Sequence, residues 1–143
     1  MTGAVPVGRF PPAQRLQKRL EFQTAQSAGR KAILPHFVLL QYARAESGEA
    51  RLGIVASRRV GTAVIRNRAK RLIREAFRAT RHLFMPGIDV VVIVRRPLEG
   101  MKLENVRNEW LSCDKLLHKR ALEAREDRAR RLETSQVDAR RPA

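Results

Sequence analysis

The stretch AVIRNRAKRLIREAFRATRH, residues 63–82, constrains this chain more than any other feature. At 3.6 residues per turn, Ile65, Ala69, Leu72, Ile73, Ala76 and Phe77 share one side of a helix. Arg66, Asn67, Lys70, Arg71, Arg74, Arg78 and Arg81 take the other side, with Arg68 and Glu75 on a rim. One face must be buried and the other cannot be. Any fold therefore has to offer a packing surface to the first without covering the second.

Like charges four residues apart, as in Arg66–Lys70–Arg74–Arg78, cost roughly a few tenths of a kcal/mol each. A helix selected for stability would intersperse acids, yet Glu75 is the single acid here. Residues 58–81 hold nine basic side chains against Glu75, so they carry +8 of the chain's formal net charge of +16. Segments 35–57 and 82–117 each balance to zero. The charge is a patch, and a patch of this density calls for a polyanion. Just upstream, Gly61 allows a sharp turn, Thr62 is a suitable N-cap, and Arg58 and Arg59 stand beside the free N–H groups of the helix start. Asn67 adds an amide that can both donate and accept among the guanidinium groups.

The rest of the chain supplies the packing surface. At 143 residues, 43% of them hydrophobic, it is long enough for one compact domain. Arg15–Ala28 reads as a short amphipathic helix closed by Gly29. His36–Tyr42 and Arg51–Ser57 read as two strands paired across a turn at Arg44–Ala50, and Ile88–Arg95 as a strand covered on both faces. Leu103, Val106, Trp110, Cys113 and Leu117 mark an amphipathic helix over Leu103–Lys119. The organisation expected is a flexible segment over 1–12, a domain over 13–119, and a charged extension over 120–143, exposed and helical or disordered.

Several chemistries are excluded. A lone cysteine, Cys113, permits neither an internal disulfide nor a cysteine-based zinc site, and reads as a packing thiol. His36, His82 and His118 lack metal-ligand spacing and read as rim residues. Asp89 reads as a strand-start residue, and no phosphate loop or nucleophile elbow is present. No catalytic or metal-binding side chain is therefore expected. Val90–Val94, the longest apolar run, is too short to span a bilayer, Met1–Phe10 lacks the pattern of a secretory signal, and a cytoplasmic location is expected. An anionic-membrane helix is disfavoured because the apolar face is needed for packing. A DNA-reading helix-turn-helix is disfavoured because the basic helix follows a strand and is too uniformly Arg-rich for base readout. An RNA binder remains, with a ribosomal protein or general RNA chaperone as the rival to a dedicated partner.

The run SRRVGTAVIRNRAKRLIREAF, Ser57–Phe77, resembles the signature of the bacterial ribonuclease P protein family. The family pattern of a basic pair, Val-Gly-Asn-Ala-Val, Arg-Asn-Arg, Lys-Arg and a further Arg stands here as Arg58–Arg59, Val60–Val64 with Thr62 for Asn, Arg66–Asn67–Arg68, Lys70–Arg71 and Arg74. Arg15–Arg30, HFVLL, RLGIVAS and DVVVIVRRP also resemble family elements, so residues 13–119 fit. The resemblance implies an α+β domain, ordered α-β-β-β-α-β-α, with a central sheet and a left-handed βαβ crossover through the basic helix. It implies one protein per catalytic RNA, cleavage of the 5′ leader from precursor tRNA, and hydrolysis by the RNA with Mg²⁺ held mainly by the RNA and substrate phosphates. Arg58, Arg59, Arg66, Asn67, Arg68, Lys70, Arg71 and Arg74 would meet the catalytic RNA. A leader cleft would use Phe22 on the first helix with Arg15 and Arg19. Gln26 stands where the family often has an aromatic residue and Leu40 where some members carry Tyr, so fewer stacking platforms are expected and Phe22 remains.

Replacing both Arg66 and Arg68 by Ala should leave the fold intact while RNA affinity drops steeply. Titrations at several salt concentrations should give a shallower dependence of log K on log salt, because phosphate contacts are lost. Unchanged affinity with an unchanged slope would sink the ridge as an RNA interface.

Overall fold

A four-stranded sheet carries helices on both faces, and a valine-rich strand runs through its middle. The computed structural model describes residues 14–140, with side chains as far as residue 136, and the segment expected to be flexible, 1–12, lies outside the described residues. The elements are α1 (Arg19–Ala28), β1 (Arg30–Ile33), β2 (Phe37–Ala43), β3 (Arg51–Val55), α2 (Ala63–Ala79), β4 (Ile88–Val94), α3 (Leu103–Ser112) and α4 (Asp114–Arg140). The strands lie side by side in the order β1-β2-β4-β3.

The pairing differs from the expected hairpin of β2 with β3. Instead β2 pairs antiparallel with both β1 and β4, and β3 pairs parallel with β4. The physical reason lies in β4. Its Ile-Asp-Val-Val-Val-Ile-Val sequence is apolar on both faces, which suits a central position rather than an edge. The turn after β2 is held open from inside, where Arg44 Nη2 donates to the Glu49 carbonyl at 2.7 Å. Because β3 and β4 are parallel neighbours, the chain must cross over between them, and α2 is that crossover.

The two faces are packed differently. On one, Phe37, Leu39, Leu52, Val90 and Val92 meet Ile73, Ala76 and Phe77 of α2, Val106 and Trp110 of α3 and Leu117 of α4. Trp110 meets Phe37 and Phe84 edge-on, with ring centroids 5.8 and 6.0 Å apart. On the other face Leu16 and Ala25 cover Leu40 and Val91, with Phe22, Val38, Tyr42, Val55 and Ile93 half-buried around them. The first helix begins at Arg19 rather than Arg15, because Arg15 bridges to the outer edge of β3 and the Leu16 N–H donates to the Leu52 carbonyl at 2.9 Å.

The C-terminal half departs most from expectation. The amphipathic pattern over 103–119 is two helices, broken at Cys113, whose N–H turns back to the Trp110 carbonyl at 3.1 Å. The second of them, α4, runs on to residue 140 and is docked on the sheet through much of the segment expected to be exposed. Ala121 and Ala124 are buried. Gln41 donates to the Leu117 carbonyl at 2.9 Å and Arg120 to the Lys31 carbonyl at 2.9 Å. Arg30 grips Asp127 through two bonds of 2.8 Å, and holds that carboxyl below its ordinary range. Arg128 donates to the carbonyls of Arg44 and Ala45, both at 3.0 Å, and the Arg131 guanidinium lies 4.5 Å above the Tyr42 ring. The apolar stripe is thin because the anchors are alanines and arginines.

Deleting residues 121–143 should therefore lower the melting temperature by roughly 5–10 °C. Calorimetry of the truncated chain checks this, and an unchanged melting temperature would contradict the docking.

Candidate nucleic-acid interface

The site begins with a buried charge. Asp89, 3% exposed, sits on β4 directly across from Arg51 on β3. Its carboxylate accepts from Arg51 Nε and Nη2, both at 2.8 Å, and from Arg44 Nη1 at 3.0 Å. Arg51 also reaches Glu21 of α1 at 3.0 Å. Burial alone would push the Glu21 carboxyl up. The N–H groups of Lys18 and Gln17 and the Arg51 guanidinium outweigh it and hold the carboxyl below its ordinary range. Glu21 is thus clamped to the sheet, and the next residue is Phe22.

The outer edge of the Phe22 ring rests against Gly53 in the middle of β3. A Cβ at residue 53 would stand 2.7 Å from Phe22 Cε1 and 2.9 Å from Leu16 Cδ1, so only glycine lets the ring settle there. Beside the ring opens a cleft of about 310 Å³. Its walls include Arg15, Gln17, Phe22, Ile54, Lys70 and Arg74. Three cations and an aromatic face converge, and no acid lines the cleft. Burial, and then the neighbouring charge of Arg15, lower the Arg74 guanidinium below its usual value. A site that destabilises its own cations in this way is relieved by an incoming anion.

The ridge of α2 forms one wall of this cleft and continues beyond it. Gly61, with φ of 145°, turns the chain from Arg58–Val60 into the helix, and Thr62 Oγ1 caps it by accepting from the Ile65 N–H at 3.4 Å. Ala69, Leu72, Ile73, Ala76 and Phe77 are buried as the periodicity requires. Ile65 is not: it is 47% exposed, and its side chain lies against Gly61 and lines a groove beside the loop after β4. Arg58, Arg59, Asn67, Arg68 and Arg71 are exposed, and Arg66, Lys70 and Arg74 are half-exposed.

The ion pairs show how the protein spends its charges. Arg30, Arg44, Arg51, Arg81, Arg120 and Arg130 are all matched to acids. Among the described residues, Arg58, Arg59, Arg66, Arg68, Lys70, Arg71 and Arg74 form no ion pair. Arg66 Nε is even buried without an acceptor, and Arg68 has only the Met101 carbonyl, at 3.0 Å. Every basic residue singled out in the signature remains available.

Of the residues assigned to a cleft from sequence, Phe22 and Arg15 line it. Arg19 is exposed on α1 and is not among the lining residues. Lys70 and Arg74 serve both ridge and cleft. Gln26 is exposed and Leu40 is buried beneath α1, so neither offers a stacking face in the cleft. Sequence reasoning missed Gln17 and Gly53, although an isolated glycine in a strand signals close approach by a neighbour. Asp89 stands at the start of β4, as read from sequence, and is buried there, and His36 is fixed by Glu109 through Nδ1 at 2.7 Å and its backbone N–H at 2.9 Å. Among the described residues no three His, Cys, Asp or Glu side chains gather where they could hold a metal ion, and no helix is long and apolar enough to cross a membrane.

An α+β domain whose unpaired arginines crowd one helix beside an aromatic-floored cleft belongs to the class of RNA-binding proteins. Residues 10–120 match the ribonuclease P family profile, and the chain belongs to that family. It is 40% identical to the ribonuclease P protein component of Brevibacillus brevis over 101 residues, 69% of this chain and 79% of the relative. It is 34% identical to that of Geotalea uraniireducens over 110 residues, 77% of this chain and 96% of the relative. The solved ribonuclease P protein of Thermotoga maritima superposes with a TM-score of 0.62 at 34% identity, covering 71% of this chain and 94% of that one. For the Staphylococcus aureus protein the TM-score is 0.63 at 31% identity, covering 72% and 94%. Proteins of this family are components of a ribonucleoprotein endoribonuclease that processes tRNA, and their partner is the ribonuclease P RNA.

Gly53→Ala should keep the fold, since the clashing atoms are side-chain ends, but push Phe22 off the strand. Affinity for a short single-stranded RNA should fall about tenfold. Ring resonances of Phe22 unchanged by the substitution would refute this account of the cleft floor.

Proposed function

We propose that this chain grips the catalytic RNA with the α2 ridge and holds the single-stranded 5′ leader of precursor tRNA in the cleft beside Phe22. The holoenzyme thereby favours precursor over product and removes the leader in the cytoplasm, with one protein bound to one RNA. The observation that carries this reading is the convergence of Arg15, Lys70 and Arg74 beside Phe22 with no acid among the lining residues. Backbone cations and a stacking face are what an unpaired strand needs, whatever its sequence. Ridge and cleft share Lys70 and Arg74, so the leader would pass directly alongside the catalytic RNA.

No side chain here is assigned to bond cleavage. The phosphodiester would be hydrolysed by the RNA, with Mg²⁺ bound chiefly to RNA and substrate phosphate oxygens. The protein's part is electrostatic and positional. The ridge screens phosphate repulsion between two RNAs, and the cleft adds binding energy that only the precursor can use.

In the reconstituted holoenzyme, Phe22→Ala should weaken precursor tRNA binding about five- to fiftyfold. Binding of mature tRNA, which has no leader, should be almost unchanged. Equal losses for both substrates would assign Phe22 to packing and defeat the leader cleft.

A further inference from the structure

A second groove lies at the other end of the ridge, and neither the ridge nor the Phe22 cleft accounts for it. It has a volume of about 500 Å³ between the first turns of α2 and the loop that follows β4. Ile65 and Ala69 form one apolar wall, and Pro97 and Leu98 the other. Arg68 also lines it and donates to the Met101 carbonyl at 3.0 Å. Glu99 is the one acid among the lining residues. Nearby Val64 is 79% exposed and Ile65 47% exposed, two large apolar side chains bared within the most cationic stretch of the chain.

The bared side chains of Val64 and Ile65 beside this groove offer apolar contact on the binding face itself. The charge around the groove decides the class of its occupant. Arg68 lines it, Arg58, Arg59 and Arg66 stand within two residues of its lining residues Val60 and Ile65 along the chain, and none of the four is ion-paired among the described residues. Whatever enters must arrive attached to a polyanion. Apolar walls, a planar guanidinium and a lone carboxylate are what a flat heterocycle needs, with its faces against aliphatic carbon and its edge donating to Glu99.

We infer that this groove receives one extruded, unpaired nucleobase of the catalytic RNA, and that the base carries an amino group on its Watson–Crick edge. The inference rests on the ridge being the surface that meets that RNA. The ridge alone would bind any folded RNA through phosphates. A base pocket at its end fixes register, so that the Phe22 cleft faces the incoming substrate. Glu99 supplies the selectivity: it accepts from the amino group of adenine, cytosine or guanine and repels the carbonyl that uracil presents instead.

The test uses the full chain, a bacterial ribonuclease P RNA, and the variants Ile65→Ser and Glu99→Ala, both at exposed positions. Ile65→Ser should weaken RNA binding about tenfold with an unchanged dependence of log K on log salt, since no phosphate contact is removed. Probing with dimethyl sulfate and kethoxal should reveal one unpaired adenine, cytosine or guanine that the wild-type protein protects and Ile65→Ser leaves reactive. If Ile65→Ser lowers the melting temperature, Glu99→Ala is the deciding variant, with at least a threefold loss and the same base exposed. Wild-type affinity and footprint in the well-folded variant would overturn the inference. So would self-association of the wild-type protein that Ile65→Ser abolishes without changing RNA affinity, because the groove would then belong to a second copy. Failure of the wild-type chain to bind the RNA would overturn the functional reading itself, an outcome recognisable because no variant is needed to see it.

Discussion

The pairing of Asp89 with Arg51 and Arg44 is the interaction on which the rest of the arrangement depends. Two guanidinium groups and one carboxylate meet inside the sheet, where an uncompensated charge would cost about 3–5 kcal/mol. Slipping β3 by one residue against β4 would carry Arg51 to the opposite face and strand Asp89. The pair therefore fixes the register of the parallel strands as well as holding them together. Arg51 then passes the constraint to Glu21, which orients α1, which lays Phe22 on Gly53. The floor of the cleft is thus set by a salt bridge deep in the sheet, through a chain of direct contacts.

Charge segregation is the second organising feature. Outside α2 the arginines are largely consumed internally, by acids or by main-chain carbonyls. On the exposed side of α2 none is matched to an acid among the described residues, and Arg68 donates to the Met101 carbonyl. Concentrating like charges on one helix destabilises it, and the apolar face must compensate. Ile73, Ala76 and Phe77, all fully buried, provide that compensation. The Phe77–Phe84 ring stack at 5.0 Å and the edge-on contacts of Trp110 carry it into the centre of the core. A helix free of cations on its far side would not need so deep an anchor.

Much of this was legible in the sequence, and the exceptions have physical causes. The start, cap, buried face and ridge of α2 follow from local periodicity, because all the information lies within twenty residues. Ile65 escaped that logic because a helical wheel does not reveal which turns of a helix have another element to pack against. The pairing of β3 with β4 rather than β2 is non-local, decided by a strand more than thirty residues downstream. The docking of α4 was hidden because Ala121 and Ala124 barely register as an apolar stripe, and because Arg128 finds its partners in another element's backbone. Phe22 and Arg15 were readable as cleft residues. Arg19 was not separable from them, since one helical turn of sequence does not say which side faces the sheet.

The family match ends at residue 120, while α4 continues for some twenty residues more. Arg120 at the boundary, and Arg128 and Arg131 in the added length, all donate to carbonyl oxygens, those of Lys31, Arg44, Ala45 and Ala43. A main-chain oxygen is the same in every amino acid. The extension thus reads the path of the receiving chain and is almost blind to its spelling, with Arg30–Asp127 and Arg131–Tyr42 as the side-chain pairs that depend on both partners. Substitutions can accumulate along the β2–β3 connection without loosening the helix that lies across it, provided the backbone keeps its course. An appendage attached in this manner could be gained by one lineage without waiting for matching changes in the domain that receives it.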